Sequence, residues 1–282
     1  MSVKQKLKFL NLIVHSATPP CGVTGLCGGY ELKEWRYEQF ANWLFEEHLL
    51  DFALNFEDYS KITPANALKR IKVAAKNVFQ SSNLNRGEFG ELMLHGVIKE
   101  THDTIPAVSK IYFKDGPNET VKGFDAVHIV ATDTELELWL GEVKFYNDFH
   151  RAVRDVVPEI EAHFQKRYLE REFAAITNKL DKSFPHYERL AKLLDRNTSL
   201  DEVFKCVCVP VLLTYDSDLV AKHREFCQAY IDEILPEIHA NHQHFISKVK
   251  CPVKIHLFLL PLEDKAKLSQ TLLNKLIAWQ SI

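Results

Sequence analysis

The stretch GFDAVHIVATDTELELWLGEVKFY, Gly123 to Tyr146, decides how the rest of the chain is read. Two strand-like runs rich in Val, Ile, Leu and Trp flank a polar TDTE turn. Each run carries charge where a buried sheet should be apolar: Asp125 near the start of the first, Glu142 and Lys144 near the end of the second. With Asp133 and Thr134 at the turn, Asp125 faces Glu142 and Gly123 faces Lys144. Directly opposed residues share one side of a sheet, with Cβ atoms about 4.5–5.5 Å apart. Glu142 and Lys144, two apart, share that side as well. A turn of odd length would shift the pairing and send the charges to opposite faces.

The same face continues through Val127, Ile129, Leu136, Leu138 and Leu140, so one end is charged and the other dry. Two carboxylates about 5 Å apart repel by roughly 3 kcal/mol at an effective dielectric near 20. Lys144 relieves part of this, and a divalent cation relieves far more. Oxygen donors favour Mg2+ or Mn2+. The competing reading is an exposed cross-strand salt bridge. Phe124, Ala126, Val130, Trp139, Val143 and Phe145 weigh against it, because they make the opposite face apolar too.

Upstream, NRGEFGELMLHGVIKE predicts a helix from Asn85 to about Thr101. Asn85-x-x-Glu88 forms a capping box, which gives Glu88 a structural task. Glu91, three residues on, has no such task and lies beside Gly87 and Gly90, which allow the helix to pack closely on a sheet. Glu91 is the chosen fourth member of the site, with Glu88 as its alternate. Downstream, the spacing predicts a helix over 150–176, a strand over 203–215, a helix over 219–248 bent or broken at Pro236, a strand over 253–262 and a closing helix over 265–279. A further strand is expected over 109–114. Strands mixed with long helices imply an α/β sheet covered on both faces.

The N-terminal part reads differently. Four of the ten glycines fall between Gly22 and Gly29, so this stretch, with Cys21 and Cys27, reads as a flexible loop. It spells neither a P-loop nor GxGxxG, and its cysteine gap is wider than that of structural zinc sites. Helices are expected over 31–54 and, opened by Thr63-Pro64, over 64–80. Lys69, Lys72 and Lys76 share one face of the second, read as solvated, with partner or nucleic-acid contact as the alternative. SSNLN at 81–85 reads as a loop, dividing a mainly helical region, 1–84, from a second unit, 85–282.

Composition sets the outer limits. The chain has 282 residues, 46% hydrophobic and 26% charged, with a formal net charge of −3. That charge does not advertise unaided nucleic-acid binding. No run approaches the ~18 apolar residues of a membrane span, and the lysine-interrupted N-terminus lacks an export signal, so the expected location is cytoplasmic. The six cysteines fit a reducing compartment. There is no G-x-S-x-G elbow. His239, His242 and His244 read as a polar helix end, Asp216 and Asp218 as caps of the next helix, and His128 is left out because it faces away from Asp125.

A helix with Glu, a hairpin with Asp, then Glu-x-Lys, a helix and a strand resembles the PD-(D/E)xK nuclease superfamily. The run LELWLGEVKFYNDFHRAV, with VKGFDAVHIV and RGEFGEL before it, looks more narrowly like the HamA family, nuclease effectors of Hachiman antiphage defence. The resemblance implies a restriction-endonuclease-like mixed sheet flanked by helices. It maps the acidic metal ligands to Asp125 and Glu142, the catalytic lysine to Lys144, the helix glutamate to Glu91 or Glu88, and a metal-shell carbonyl to Val143. Phe124 stands where the superfamily's name has proline. The Gln-x-x-x-Tyr of some relatives is missing, since Gln165 and Tyr168 are one residue too close. Implied with these are Mg2+ or Mn2+, a DNA substrate and a superfamily 2 (HamB-like) helicase partner. A catalytically silent subunit that binds nucleic acid or the helicase is the alternative, and the residues leave RNA open as a substrate.

Overall fold

One seven-stranded mixed sheet organises the molecule. The computed structural model describes residues 7–19, 21–78, 87–109, 123–132 and 134–282. The strands are β1 (Asn11–Ser16), β2 (Cys21–Cys27), β5 (Ile105–Ser109), β6 (Ala126–Ala131), β7 (Leu136–Phe145), β8 (Val207–Asp216) and β9 (Lys254–Leu262), in the order β1-β2-β9-β8-β7-β6-β5. β5, β6 and β7 form an antiparallel meander; β7, β8, β9 and β2 run parallel; β1 returns antiparallel at the far edge. A small hairpin, β3 (Tyr30–Glu31) and β4 (Glu34–Trp35), stands apart.

The hairpin register is the one its alternation demands. Ala126 pairs with Gly141, Val127 with Leu140 and so on to Ala131 with Leu136. Asp133 lies outside the described residues, but the pairs leading up to it keep the charged ends opposed. The first strand is shorter than expected, because regular pairing begins at Ala126 and Asp125 stands in a bend just before it.

Helices cover both faces. On one face lies α5 (Glu88–His102), and on the other α6 (Phe149–His163), with α7 (Lys166–Lys179) after it. Fourteen of the fifteen residues of α5 are buried. A helix buried on every side, glutamates and histidines included, needs cover on every side. The outer cover comes from α1 (Tyr37–Trp43), a π-helical turn (Leu44–His48) and α2 (Leu49–Ala53). Behind these pack α3 (Phe56–Ser60), α4 (Ala67–Val78) and the closing α12 (Lys265–Ser281). The short helices α8 (Tyr187–Leu193), α9 (Leu200–Lys205) and α10 (Asp218–Lys222) link the larger elements, and α11 (Gln228–Lys248) covers β1 and β2 on the α6 side.

Several expectations are corrected. The glycine-rich 22–29 stretch is not a loop: β2 is buried along its whole length between β1 and β9. Its glycines serve close approach, since a Cβ on Gly22 would meet His256 Nδ1 at 2.6 Å and the Ser16 carbonyl at 2.9 Å. The helix expected from residue 31 begins at Tyr37, after a hairpin whose turn holds Leu32 and Lys33 at positive φ. The helix over 150–176 is broken at Phe164 and Gln165 into α6 and α7. The strand expected from 203 starts at Val207, because Ser199 caps a short helix first. The break in 219–248 falls at 223–227, while Pro236 is carried inside α11. Asp216 does not cap the next helix; it accepts the Lys265 N–H at the start of α12.

A strand runs over Ile105–Ser109 and meets the one expected over 109–114 only at Ser109; residues 110–114 lie outside the described set. Also outside it are SSNLN, the Asn85 half of the capping box and the 84–85 division. Strands from either side of that division share one sheet.

The α5 face of the sheet holds buried histidines. His102 lies against Trp139 and Phe258, and His256 hydrogen-bonds Thr24 at 2.7 Å. Burial, reinforced by neighbouring histidines, lowers His102 to about 3 and His256 to about 2. An unfolded chain takes up these protons below pH ~6.5 whereas the folded one refuses them, so stability is full above that pH and falls as acidity rises. Denaturant titrations are expected to show a loss on the order of 2 kcal/mol per histidine between about pH 7 and 5. His102→Phe should lose less of its stability over that interval.

Candidate active site

The charged end of the hairpin is built around one peptide unit. Backbone pairing of β6 with β7 ends as Asp125 N–H donates to the Gly141 carbonyl at 2.8 Å. The next inward-facing donor on β7, the Val143 N–H, would be left without a strand partner. The Asp125 carboxylate takes its place, accepting that N–H through Oδ2 at 2.8 Å. A buried N–H needs such an acceptor, and the contact fixes the carboxylate against the short segment in which Glu142 precedes Val143 and Lys144 follows it.

Glu142 and Lys144 point away from α5, toward α6. Glu142 is 2% exposed and accepts from His163 Nδ1 at the end of α6. One turn earlier, Glu159 accepts from the Lys144 ammonium. Burial opposes the charge on His163, but the hydrogen bond and charge of Glu142, with Asp125 and Glu159 nearby, raise its pKa above the ordinary histidine value. Lys144 follows the same pattern: burial opposes its charge, and Glu159, then Asp125 and Glu142, outweigh it and raise the pKa. Lys144 is therefore a fixed cation at neutral pH rather than a base.

On the other face, the first turn of α5 lies directly on β7. A Cβ on Gly90 would stand 3.0 Å from the Phe145 Cβ and 3.3 Å from Val143 Cγ2. That close packing brings Glu88 and Glu91, 6% and 7% exposed, to the end of β7 that carries Val143. Both are acidic groups in a helical first turn, where the helix dipole favours negative charge. Gly87 is the N-cap of α5 and gives no side-chain cap.

The direct contacts thus join Asp125 to Val143, Glu142 to His163 and Lys144 to Glu159, and Glu88 and Glu91 approach through their helix. Sequence reasoning missed His163 and Glu159. Their i, i+4 spacing on the helix that follows Glu-x-Lys is the signal, because a crossover helix after β7 must cover the face from which Glu142 and Lys144 project. Tyr168, set aside for its spacing from Gln165, stacks on His163 with centroids 4.3 Å apart. Phe124, in the place of a proline, meets His163 edge-on at 5.1 Å and Tyr168 at 6.3 Å. The set-aside histidines of α11 are placed elsewhere: His242 Nε2 meets the Cys21 carbonyl at 3.0 Å and His244 meets His150.

With this geometry in view, comparison with known proteins is informative. The family model for HamA matches residues 4–276. The chain belongs to the HamA family. Anti-bacteriophage protein A of Escherichia coli K12 is 24% identical to this HamA chain over 254 residues. The match covers 86% of the chain but 45% of the relative, so the chain spans less than half the length of the curated relative it matches. Among the described residues of this HamA member, no helix is long and apolar enough to cross a membrane.

The Asp125 contact separates shape from charge. Asp125→Asn keeps an oxygen for the Val143 N–H and is expected to change stability by less than about 1 kcal/mol, whereas Asp125→Ala orphans that donor and costs about 1–3 kcal/mol. Urea unfolding of the two variants measures the difference.

Proposed function

We propose that this HamA-family protein is an antiphage defence effector whose activity is metal-dependent hydrolysis of DNA phosphodiester bonds, held in check by a superfamily 2 helicase. The observation that carries this reading is the meeting of the three charged hairpin groups about one peptide unit: Asp125 on the Val143 N–H, with Glu142 and Lys144 to either side. The order α5, β5-β6-β7 meander, α6 and parallel β8 supports a restriction-endonuclease-like core around it. Family membership supports the defence role, and the helicase partner is part of the same proposal, carried by the resemblance of the motif-bearing segments.

The donor set suits a hard divalent ion. Asp125, Glu142 and Glu91 or Glu88 offer buried carboxylate oxygens, and the Val143 carbonyl lies between the motif residues. These groups would hold Mg2+ or Mn2+. A bound ion would polarise the scissile phosphate and lower the pKa of an attacking water. The chain's own share of the chemistry follows from its contacts. Lys144, kept charged by Glu159, presents a cation that orients water or meets charge developing on phosphate. Phe124 and Tyr168, packed around His163, limit water on the α6 side.

One observation favours the second reading, a catalytically silent subunit. Glu142 and Lys144 are each already engaged by α6, through His163 and Glu159. Plasmid DNA incubated with Mg2+, with and without the helicase, tests the two. Wild type is expected to cleave, with Asp125→Asn, Glu142→Ala and Lys144→Ala each slower by ~10²-fold or more. Cleavage that persists undiminished in these variants removes this site from the reaction. No cleavage in any condition, with helicase or DNA binding intact, favours the silent subunit.

A further inference from the structure

The π-helical turn Leu44–His48 ends on a histidine that the hairpin site does not use. His48 is 5% exposed, and neither ring nitrogen has a hydrogen-bond partner among the described residues. Leaving such groups unmet in the interior costs about 1–3 kcal/mol each. π-Helical turns insert a residue into a helix and recur at functional sites; here the turn precedes α2 and directs His48 against α5. Residue 96 leaves room for it: a Cβ on Gly96 would stand 3.0 Å from His48 Cδ2.

Two further donors meet His48 there. One potential ligand atom each from His48, Asp51 and His95 lies within 4.8 Å of the other two. His95 Nε2 is 3.0 Å from Asp51 Oδ1. Behind His95 stands a fixed outer layer, with His95 Nδ1 3.0 Å from His128 Nε2 and His128 Nδ1 2.7 Å from Thr104 Oγ1. Lys99 pairs with Asp51 through Oδ2, leaving Oδ1 to His95.

We propose that His48, Asp51 and His95 bind a first-row transition-metal cation of the zinc class, separate from the oxygen-rich hairpin. Two imidazoles and one carboxylate suit Zn2+ better than Mg2+. Three protein ligands leave a fourth position for water, and one of them, Asp51, lines a cavity of about 470 Å³ together with Lys99 and Thr104. Protonation states agree with the geometry. Burial, then the charges around it, lowers His48 to about 3, and burial also lowers His95, so both imidazoles are neutral. Burial opposes the Asp51 charge, but His95 and Lys99 outweigh it and hold the carboxylate ionised.

The outer layer accommodates the ion by changing tautomers. Without metal, Thr104 O–H donates to His128 Nδ1, His128 Nε2–H to His95 Nδ1, and His95 Nε2–H to Asp51. With the ion on His95 Nε2, His95 Nδ1–H donates to His128 Nε2 and His128 Nδ1–H to Thr104. Each histidine keeps one proton throughout, and the second arrangement is the usual support of a metal-bound histidine. The ion would tie α2 to the middle of α5, the helix whose first turn carries Glu88 and Glu91.

Cobalt(II) titration of chelator-stripped protein in excess Mg2+ tests this without using cleavage as a readout. The expected result is one Co2+ per chain, with visible ligand-field bands bleached by Zn2+. These bands should be absent in His48→Leu, and affinity should fall at least ~10-fold in Asp51→Asn, which keeps the shape of the site if His48→Leu does not fold. Absence of stoichiometric cobalt uptake by wild type overturns the proposal. So do bands unchanged in both variants, or sulfur-to-cobalt charge transfer, which would place the ion on cysteines.

Discussion

The hydrogen bond from the Val143 N–H to the Asp125 carboxylate is the constraint on which the site depends. It ends the β6–β7 ladder with a side chain where a backbone carbonyl would ordinarily serve. Pairing can therefore stop without stranding a buried donor. The same bond seats the Asp125 carboxylate beside Glu142 and Lys144, so one contact serves both the fold and the candidate site. A charge 8% exposed, beside a second one 2% exposed, persists only where compensating groups surround it. Here His163 of α6 meets Glu142, and the Lys144 ammonium, held by Glu159 of α6, lies near both carboxylates.

The helix α5 links that site to the rest of the molecule. Gly90 lets its first turn press on Val143 and Phe145, and Gly96 lets the N-terminal helices press on its middle from the other side. Two glycines cost helix propensity, about 1 kcal/mol each relative to alanine. The close contacts they permit offset this by burying Trp43 and Leu44 on one side and the end of β7 on the other. The N-terminal layer is thus packed on the helix that carries the two glutamates.

Legibility followed the range of the interactions. The hairpin register was readable because a turn centred on Asp133 and Thr134 pairs Val127 with Leu140 and Ile129 with Leu138 on one face, and the structure has that pairing. The closing strand and helix were readable for the same local reason. β2 was not, because CGVTGLC has no alternation and its glycines look like a turn. What makes it a strand is the fit of Gly22 against His256, more than 200 residues away. His163 and Glu159 were passed over in the site because their partners lie across a crossover, although their helix was foreseen.

By itself, the sequence determined an α/β sheet, the opposed charges of its hairpin and the family to which the chain belongs. Those depend on periodicities of two and 3.6 and on residues near one another in the chain, which local sterics and burial settle. Only the tertiary structure decided that β1 and β2 complete the same sheet, that α6 pairs with Glu142 and Lys144, and that His48, Asp51 and His95 share one buried corner. Each of these joins segments whose meeting depends on how whole layers pack. No local pattern encodes that, because the favourable term is the burial of surfaces contributed by distant parts of the chain.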